Sequence, residues 1–149
     1  MPNRRQFLAA SAALLVSRRL VAEAAAPSVI TVYKDAGCGC CKDWIKHLSK
    51  NGFVVNAQDV QKIDDIKRTM FVPESVWSCH TAVVDRYVIE GHVPAKDIKK
   101  LLADKPKLQG LAVPGMPVGA PGMEQGDRKD HYDVVAFTRE GQSRVYSRY

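Results

Sequence analysis

The stretch Val29-Ile30-Thr31-Val32-Tyr33-Lys34-Asp35-Ala36-Gly37-Cys38-Gly39-Cys40-Cys41-Lys42-Asp43-Trp44 decides the fold. Its first five residues are β-branched or aromatic and read as a buried strand. Cys41, Trp44, Ile45 and Leu48 then recur at helical spacing, and Asn51-Gly52 ends that helix as glycine commonly does. Phe53-Val54-Val55 reads as the next strand. Two strands joined by a helix form a parallel pair, because parallel neighbours need a crossover. The loop between strand and helix holds three of the chain's four cysteines.

Working outward, Val60, Ile63, Ile66 and Met70 mark a second helix. Residues 80–84 and 87–90 read as a hairpin around Asp85-Arg86. Residues 95–103 form a third helix entered through Pro94, and 133–138 with 143–147 form a second hairpin around Glu140-Gly141-Gln142. Residues 108–132 carry five glycines and three prolines and read as a long irregular loop. The order implies an α/β chain, a thioredoxin-like single domain with a central mixed sheet and helices on both faces. No internal repeat and no second domain is visible. The loop before the third strand, which holds Cys79, would lie beside the first cysteine loop. Redox thioredoxins usually carry a cis-proline there, and this chain has no proline between Pro73 and Pro94.

The N-terminus sets the compartment. Arg4-Arg5 precede an apolar run from Phe7 to Val16, too short to span a bilayer, which takes about 20 residues. Ala22-Glu23-Ala24 follows as a small-x-small cleavage pattern. Residues 1–24 therefore read as a signal peptide of the twin-arginine type, with an ordinary secretory signal or an uncleaved interfacial helix as alternatives. The mature domain would be residues 25–149, in the periplasm. The full chain has 22 basic and 16 acidic residues, a net charge of +6. Without the four arginines and one glutamate of the signal, 18 basic face 15 acidic residues, a net +3. The basic residues are scattered and no aromatic-laced stripe exists, so no nucleic acid partner is expected. No membrane association is expected after cleavage. A domain of this length buries a core without needing disulfides merely to stay folded.

Four gathered thiols then admit three uses. Cys38 and Cys41 have the C-x-x-C spacing of thiol–disulfide enzymes, but Cys40 between them would compete in exchange. Four cysteines allow three pairings, one of which demands a strained bond between the neighbours Cys40 and Cys41. As a metal site, Cys38, Cys40 and Cys41 offer soft donors from one tight loop at a helix N-terminus, where a thiol ionises more readily. Cys79 completes a four-thiolate set. Thiolates select copper(I), zinc or iron–sulfur clusters. The spacing suits neither the paired zinc pattern nor the iron–sulfur ones. Adjacent Cys40 and Cys41 do not chelate one ion comfortably, so bridging favours a polynuclear copper(I) thiolate site.

Two of the three methionines outside the signal, Met116 and Met123, lie in the Gly/Pro-rich loop, and thioethers are soft donors too. The plainer reading is that they plug the loop onto the core. His80 opens a strand, so alternation points it away from Cys79; it would cap the metal site or bond a backbone carbonyl. His92 is expected to order the turn before the third helix, His47 reads as surface, and His131 has no assigned role.

Several of these segments together resemble a known family. Residues 32–44, Ser78-Cys79-His80-Thr81-Ala82, Glu90-Gly91-His92-Val93-Pro94 and residues 110–117 continuing to Gly122-Met123-Glu124 look like the signature of small exported bacterial metal-binding proteins, the group that includes the copper-resistance protein CopG. The resemblance spans residues 30–137. It implies a thioredoxin-like fold whose cysteines bind copper, with a part in copper handling or redox conversion, and thiol ligands at Cys38, Cys40, Cys41 and Cys79. The expected function is periplasmic copper resistance or homeostasis, as a copper oxidoreductase or a carrier that passes copper to efflux or carrier proteins. A thiol–disulfide oxidoreductase acting on exported proteins is the alternative, and a doubly stapled interaction module the third. No phosphate-cradling loop, Ser/His/Asp order or acidic pair supports hydrolytic or nucleotide chemistry.

Overall fold

The computed structural model describes residues 27–149, so the expected signal segment and its cleavage point lie outside the described residues. Alternation along β1 (Val29–Lys34) buries Ile30, Val32 and Lys34 while Val29, Thr31 and Tyr33 stay more exposed. β1 pairs in parallel with β2 (Val54–Asp59) and antiparallel with β3 (His80–Val84). The crossover from β1 to β2 is α1 (Gly39–Lys50), as a parallel pair requires. β3 turns through Asp85-Arg86 into β4 (Tyr87–Glu90), with Val84 opposite Tyr87 and Thr81 opposite Glu90. The sheet continues through β5 (Gly110–Ala112), parallel to β4, to the antiparallel strands β6 (Asp133–Phe137) and β7 (Ser143–Arg148). Its order is β2-β1-β3-β4-β5-β6-β7.

Helices cover both faces of this mixed sheet. α1 and α3 (Ala95–Asp104) share one cluster, in which Trp44, Leu48, Ile98 and Leu101 meet Ile30, Val32, Ala82, Val84 and Ile89. Fully burying an aliphatic side chain of this kind contributes about 1.5–3 kcal/mol, so this layer fixes where the end of α1 sits against β3. α2 (Ile63–Thr69) lies on the other face, where Val72, Val76, Val88, Ala112 and Phe137 gather. Among the described residues, no helix is long and apolar enough to cross a membrane.

One expectation is corrected. Residues 108–132 are not wholly irregular, because β5 lies inside them, between β4 and β6 in the sheet. A Cβ at Gly110 would stand 1.8 Å from the Val88 carbonyl oxygen, so the strand approaches β4 only because that residue is glycine. The remainder of the segment is a strap pinned by its own backbone bonds. Met123 N–H donates to Ala120 O at 2.8 Å, Gly119 N–H to Met123 O at 3.0 Å, and Asp130 N–H to Val118 O at 2.9 Å. Within the strap Ala120 is fully buried.

Candidate metal centre

The first half of the site is the junction of β1 and α1. Asp35 shapes it: its Oδ1 accepts the Gly37 N–H at 2.7 Å and its carbonyl accepts the Cys38 N–H at 3.1 Å. Cys38 is then the N-cap of α1, and Cys40 and Cys41 lie in the first turn. The helix N-terminus presents unpaired backbone N–H groups and partial positive charge to these sulfurs. Cys41 is fully buried, whereas Cys38 and Cys40 are half-buried. Cys38 and Cys41 are joined by a disulfide, with Cα atoms 5.4 Å apart, and Cys40 and Cys79 are free.

The second half is the open end of the β3–β4 hairpin. β1 and β3 are paired so that Lys34 opposes His80, which sets Cys79 beside the loop that follows β1. Cys79 Sγ lies 3.6 Å from Cys41 Sγ and 3.8 Å from Cys40 Sγ, and Cys38 Sγ lies 3.6 Å from Cys40 Sγ. All four sulfurs fall within 4.8 Å of one another. Sulfurs sharing one ion at metal–sulfur bonds of about 2.3 Å would be spaced by about 3.8 Å. The donor set and its spacing therefore fit a soft metal once the disulfide is reduced.

Two imidazoles close the far side. His92 Nε2 stands 3.1 Å from Cys79 Sγ and His80 Nδ1 stands 3.2 Å from it, so Cys79 belongs both to the thiol cluster and to a Cys79–His80–His92 group. His92 Nδ1–H donates to Pro121 O at 2.8 Å, which leaves Nε2 as the lone-pair nitrogen facing the sulfur. His80 is fully buried under Trp44, with ring centroids 4.3 Å apart, and its Nε2 has no hydrogen-bond partner. Burial holds His92 below the usual imidazole range, partly opposed by Pro121 O and Glu124. Burial lowers His80 further, with His92 and Lys67 adding to the effect. Burial also pushes the Cys79 thiol up to about 12, reinforced by the neighbouring Cys40. Burial thus favours neutral imidazoles and a protonated Cys79 thiol, whose proton a bound cation would displace.

The methionines are placed unequally. Gly122 has φ +84°, and a Cβ there would stand 2.6 Å from Trp44 N and 2.9 Å from Cys40 O. The strap therefore rests directly on the first turn of α1 and carries half-buried Met123 there. Met116 is 55% exposed and follows Gly115, whose carbonyl accepts the Ser78 hydroxyl.

His92 is the residue that sequence reading undervalued, and the signal for it was present. The two-residue turn Asp85-Arg86 pairs Val84 with Tyr87; continued along the hairpin, that register sets Cys79 opposite His92. His80 also departs from expectation, because Cys79 precedes the strand and strict alternation does not reach it. His47 is half-buried rather than simply on the surface, and its Nε2 accepts the N–H of Ala95 at 3.1 Å, satisfying the start of α3. His131 is exposed, with Nδ1 3.4 Å from Tyr149 O.

Two solved structures named copper resistance protein copG, Form 1 and Form 2, are each 54% identical to this chain with a TM-score of 0.79. Each match covers 83% of this chain and 98% of the other. The chain belongs to the CopG family of copper-resistance proteins. Residues 76–123, which carry Cys79, His80, His92 and both loop methionines, also match a family described as protein of unknown function, DUF411. No curated protein sequence matches.

Proposed function

We propose that this chain is an exported, periplasmic copper protein that holds copper(I) among Cys38, Cys40, Cys41 and Cys79 and serves copper resistance. The observation that carries the reading is the convergence of four sulfurs within 4.8 Å, extended through Cys79 to two buried imidazoles. Four thiolates, two imidazoles and the thioether of Met123 or Met116 outnumber the donors one copper(I) ion takes. That excess supports a polynuclear site. Kinship with proteins named for copper resistance supports copper as the cargo.

The disulfide sets the redox side of the proposal. Closing Cys38–Cys41 removes two of the four thiolates and leaves Cys40, Cys79, His80 and His92 as donors. Oxidation of the two thiols to the disulfide releases two protons and two electrons, enough to take two copper(II) ions to copper(I). The same pair therefore suits a copper oxidoreductase, while the reduced form suits a carrier that hands copper to an efflux or carrier protein. Copper(I) titration of the reduced chain, in parallel with Cys79→Ser, tests the reading. Parent protein that loads copper, with a variant that loads poorly, is the expected outcome; no loading by the parent, or equal loading by both, would sink it.

The second reading, a thiol–disulfide oxidoreductase acting on exported proteins, is favoured by the disulfide itself. Cys38 is the more exposed partner at a helix N-terminus, and Cys41 is the buried one. Insulin reduction by the parent, lost in Cys38→Ser and Cys41→Ser, would establish it, and an inactive parent would remove it.

A further inference from the structure

A charged pair lies at the heart of an otherwise apolar layer on the α2 face. Lys67 on α2 is 1% exposed and Glu90 at the end of β4 is fully buried, among Val72, Val76, Val88, Ala112 and Phe137. Their side chains form an ion pair. Replacing a buried ion pair with apolar residues of similar volume often leaves a protein as stable or more so, so stability alone does not account for it.

The other hydrogen bonds of the pair account for it better. Glu90 Oε1 accepts the backbone N–H of Ser78 at 2.7 Å, and Oε2 accepts the Thr81 hydroxyl at 2.7 Å. Lys67 Nζ donates to Thr81 Oγ1 at 3.1 Å and so completes a closed network. Ser78 and Thr81 bracket Cys79 and His80. One carboxylate thus grips the chain on both sides of the two residues that face the thiol cluster. From the other direction, Ser78 Oγ donates to Gly115 O, and Gly115 N–H donates to Trp77 O at 3.1 Å. Gly91 is held against the same point: at φ +68°, a Cβ there would stand 2.5 Å from the Ser78 side chain. The segment before β3 has little freedom left.

We propose that Glu90, oriented by Lys67, is a positioning residue that holds Cys79 Sγ at its meeting point with Cys40, Cys41 and His92. The proposal rests on the copper reading for its purpose, and on the Ser78 and Thr81 hydrogen bonds for its geometry. Glu90 touches no sulfur; it acts through the backbone of Ser78. What matters is an acceptor at that place rather than its charge, because a neutral acceptor would meet the same N–H.

Two charge-free double variants separate this from a packing role. K67M/E90Q keeps an amide oxygen for Ser78 N–H, whereas K67M/E90L keeps volume and removes the acceptor. Neither leaves a lone buried charge, which makes both suitable where a single substitution would unfold the chain. Copper(I) affinity is measured on the reduced full chain against bathocuproine disulfonate, with thermal midpoints and backbone amide exchange in the metal-free protein. K67M/E90Q is expected within about threefold of the parent, and K67M/E90L weaker by about 10–100-fold, the usual cost of losing a residue that supports a ligand. Exchange at Ser78 and Cys79 should quicken in K67M/E90L alone. A folded K67M/E90L with parental affinity and parental exchange overturns the proposal, as does equal weakening of both variants. Parent protein that binds no copper(I) removes the copper reading instead. The exchange comparison then decides the positioning claim by itself: faster exchange only without the acceptor upholds it, and unchanged exchange overturns it. Should K67M/E90L not fold, K67M/E90Q decides by itself: retained affinity with slow Ser78 exchange upholds the acceptor role, and loss of both overturns it.

Discussion

The two halves of the site are built on opposite terms. The cysteine loop is local: Asp35, Gly37 and Cys38 shape it through bonds between near neighbours, and two of its three sulfurs, Cys38 and Cys41, are joined in a disulfide. The hairpin end is non-local. Cys79, His80 and His92 are brought together by strand register and anchored from the opposite face by Glu90 and Lys67, with both imidazoles fully buried. The difference teaches a division of labour. The loop half holds the pair that changes oxidation state, while the hairpin half carries donors that take no part in the disulfide.

Several changes would break or sharpen that contrast. The largest effect is expected from Cys79→Ser, the one residue shared by both donor groups. Copper(I) affinity should fall by more than about 100-fold, beyond the range typical of residues that only support a ligand. A chelator competition that shows less would place the centre of the site in the loop alone. Gly91→Ala comes next, since the new Cβ would collide with Ser78 at a backbone angle that favours glycine. Denaturant unfolding should show a loss of about 3 kcal/mol, combining backbone strain with overpacking. An unchanged midpoint would mean that the hairpin end is softer than described.

His92→Gln keeps a donor for Pro121 O but replaces the nitrogen facing Cys79, and it should lower affinity about tenfold. The same substitution at exposed His131 should do nothing measurable. Proton release supplies the next test. The Cys79 thiol is pushed up to about 12, so it is protonated in the metal-free protein at every ordinary pH. Binding as thiolate displaces that proton, and copper(I) affinity should rise about tenfold per pH unit for this residue as pH increases. A flat profile between pH 6 and 8, titrated on roughly unit steps, would show that Cys79 does not bind as thiolate. The smallest effect is expected at Met116→Leu, within about threefold, because an exposed methionine carries little packing and replacement by leucine conserves volume. Met123→Leu should cost more, given its seat on α1.

What the sequence disclosed follows the same division. β1, the cysteine loop and α1 were legible because each signal is short-range: β-branched alternation, helical spacing of Cys41, Trp44 and Leu48, and Asn51-Gly52 at the end. The β3–β4 hairpin was legible to its boundaries, since two apolar runs flank a two-residue turn. β5 was hidden, because three buried residues beginning with glycine look like the Gly/Pro-rich strap around them. Its identity as a strand depends on β4 and β6, which lie far away in sequence. Lys67 was equally hidden, as a lysine on a short helix reads as solvated until Glu90 is seen beneath it. His92 stood between these cases. Its place beside Cys79 follows from hairpin register, although its individual residue type suggested only a turn.

The most direct test of the account is copper stoichiometry, with counting of free thiols, on protein purified from cells without reductant or chelator. The account predicts two or more copper ions per chain and four thiols that react only after a chelator is added. Copper-free protein with Cys38 and Cys41 oxidised, and no uptake of copper(I) after reduction, would contradict it.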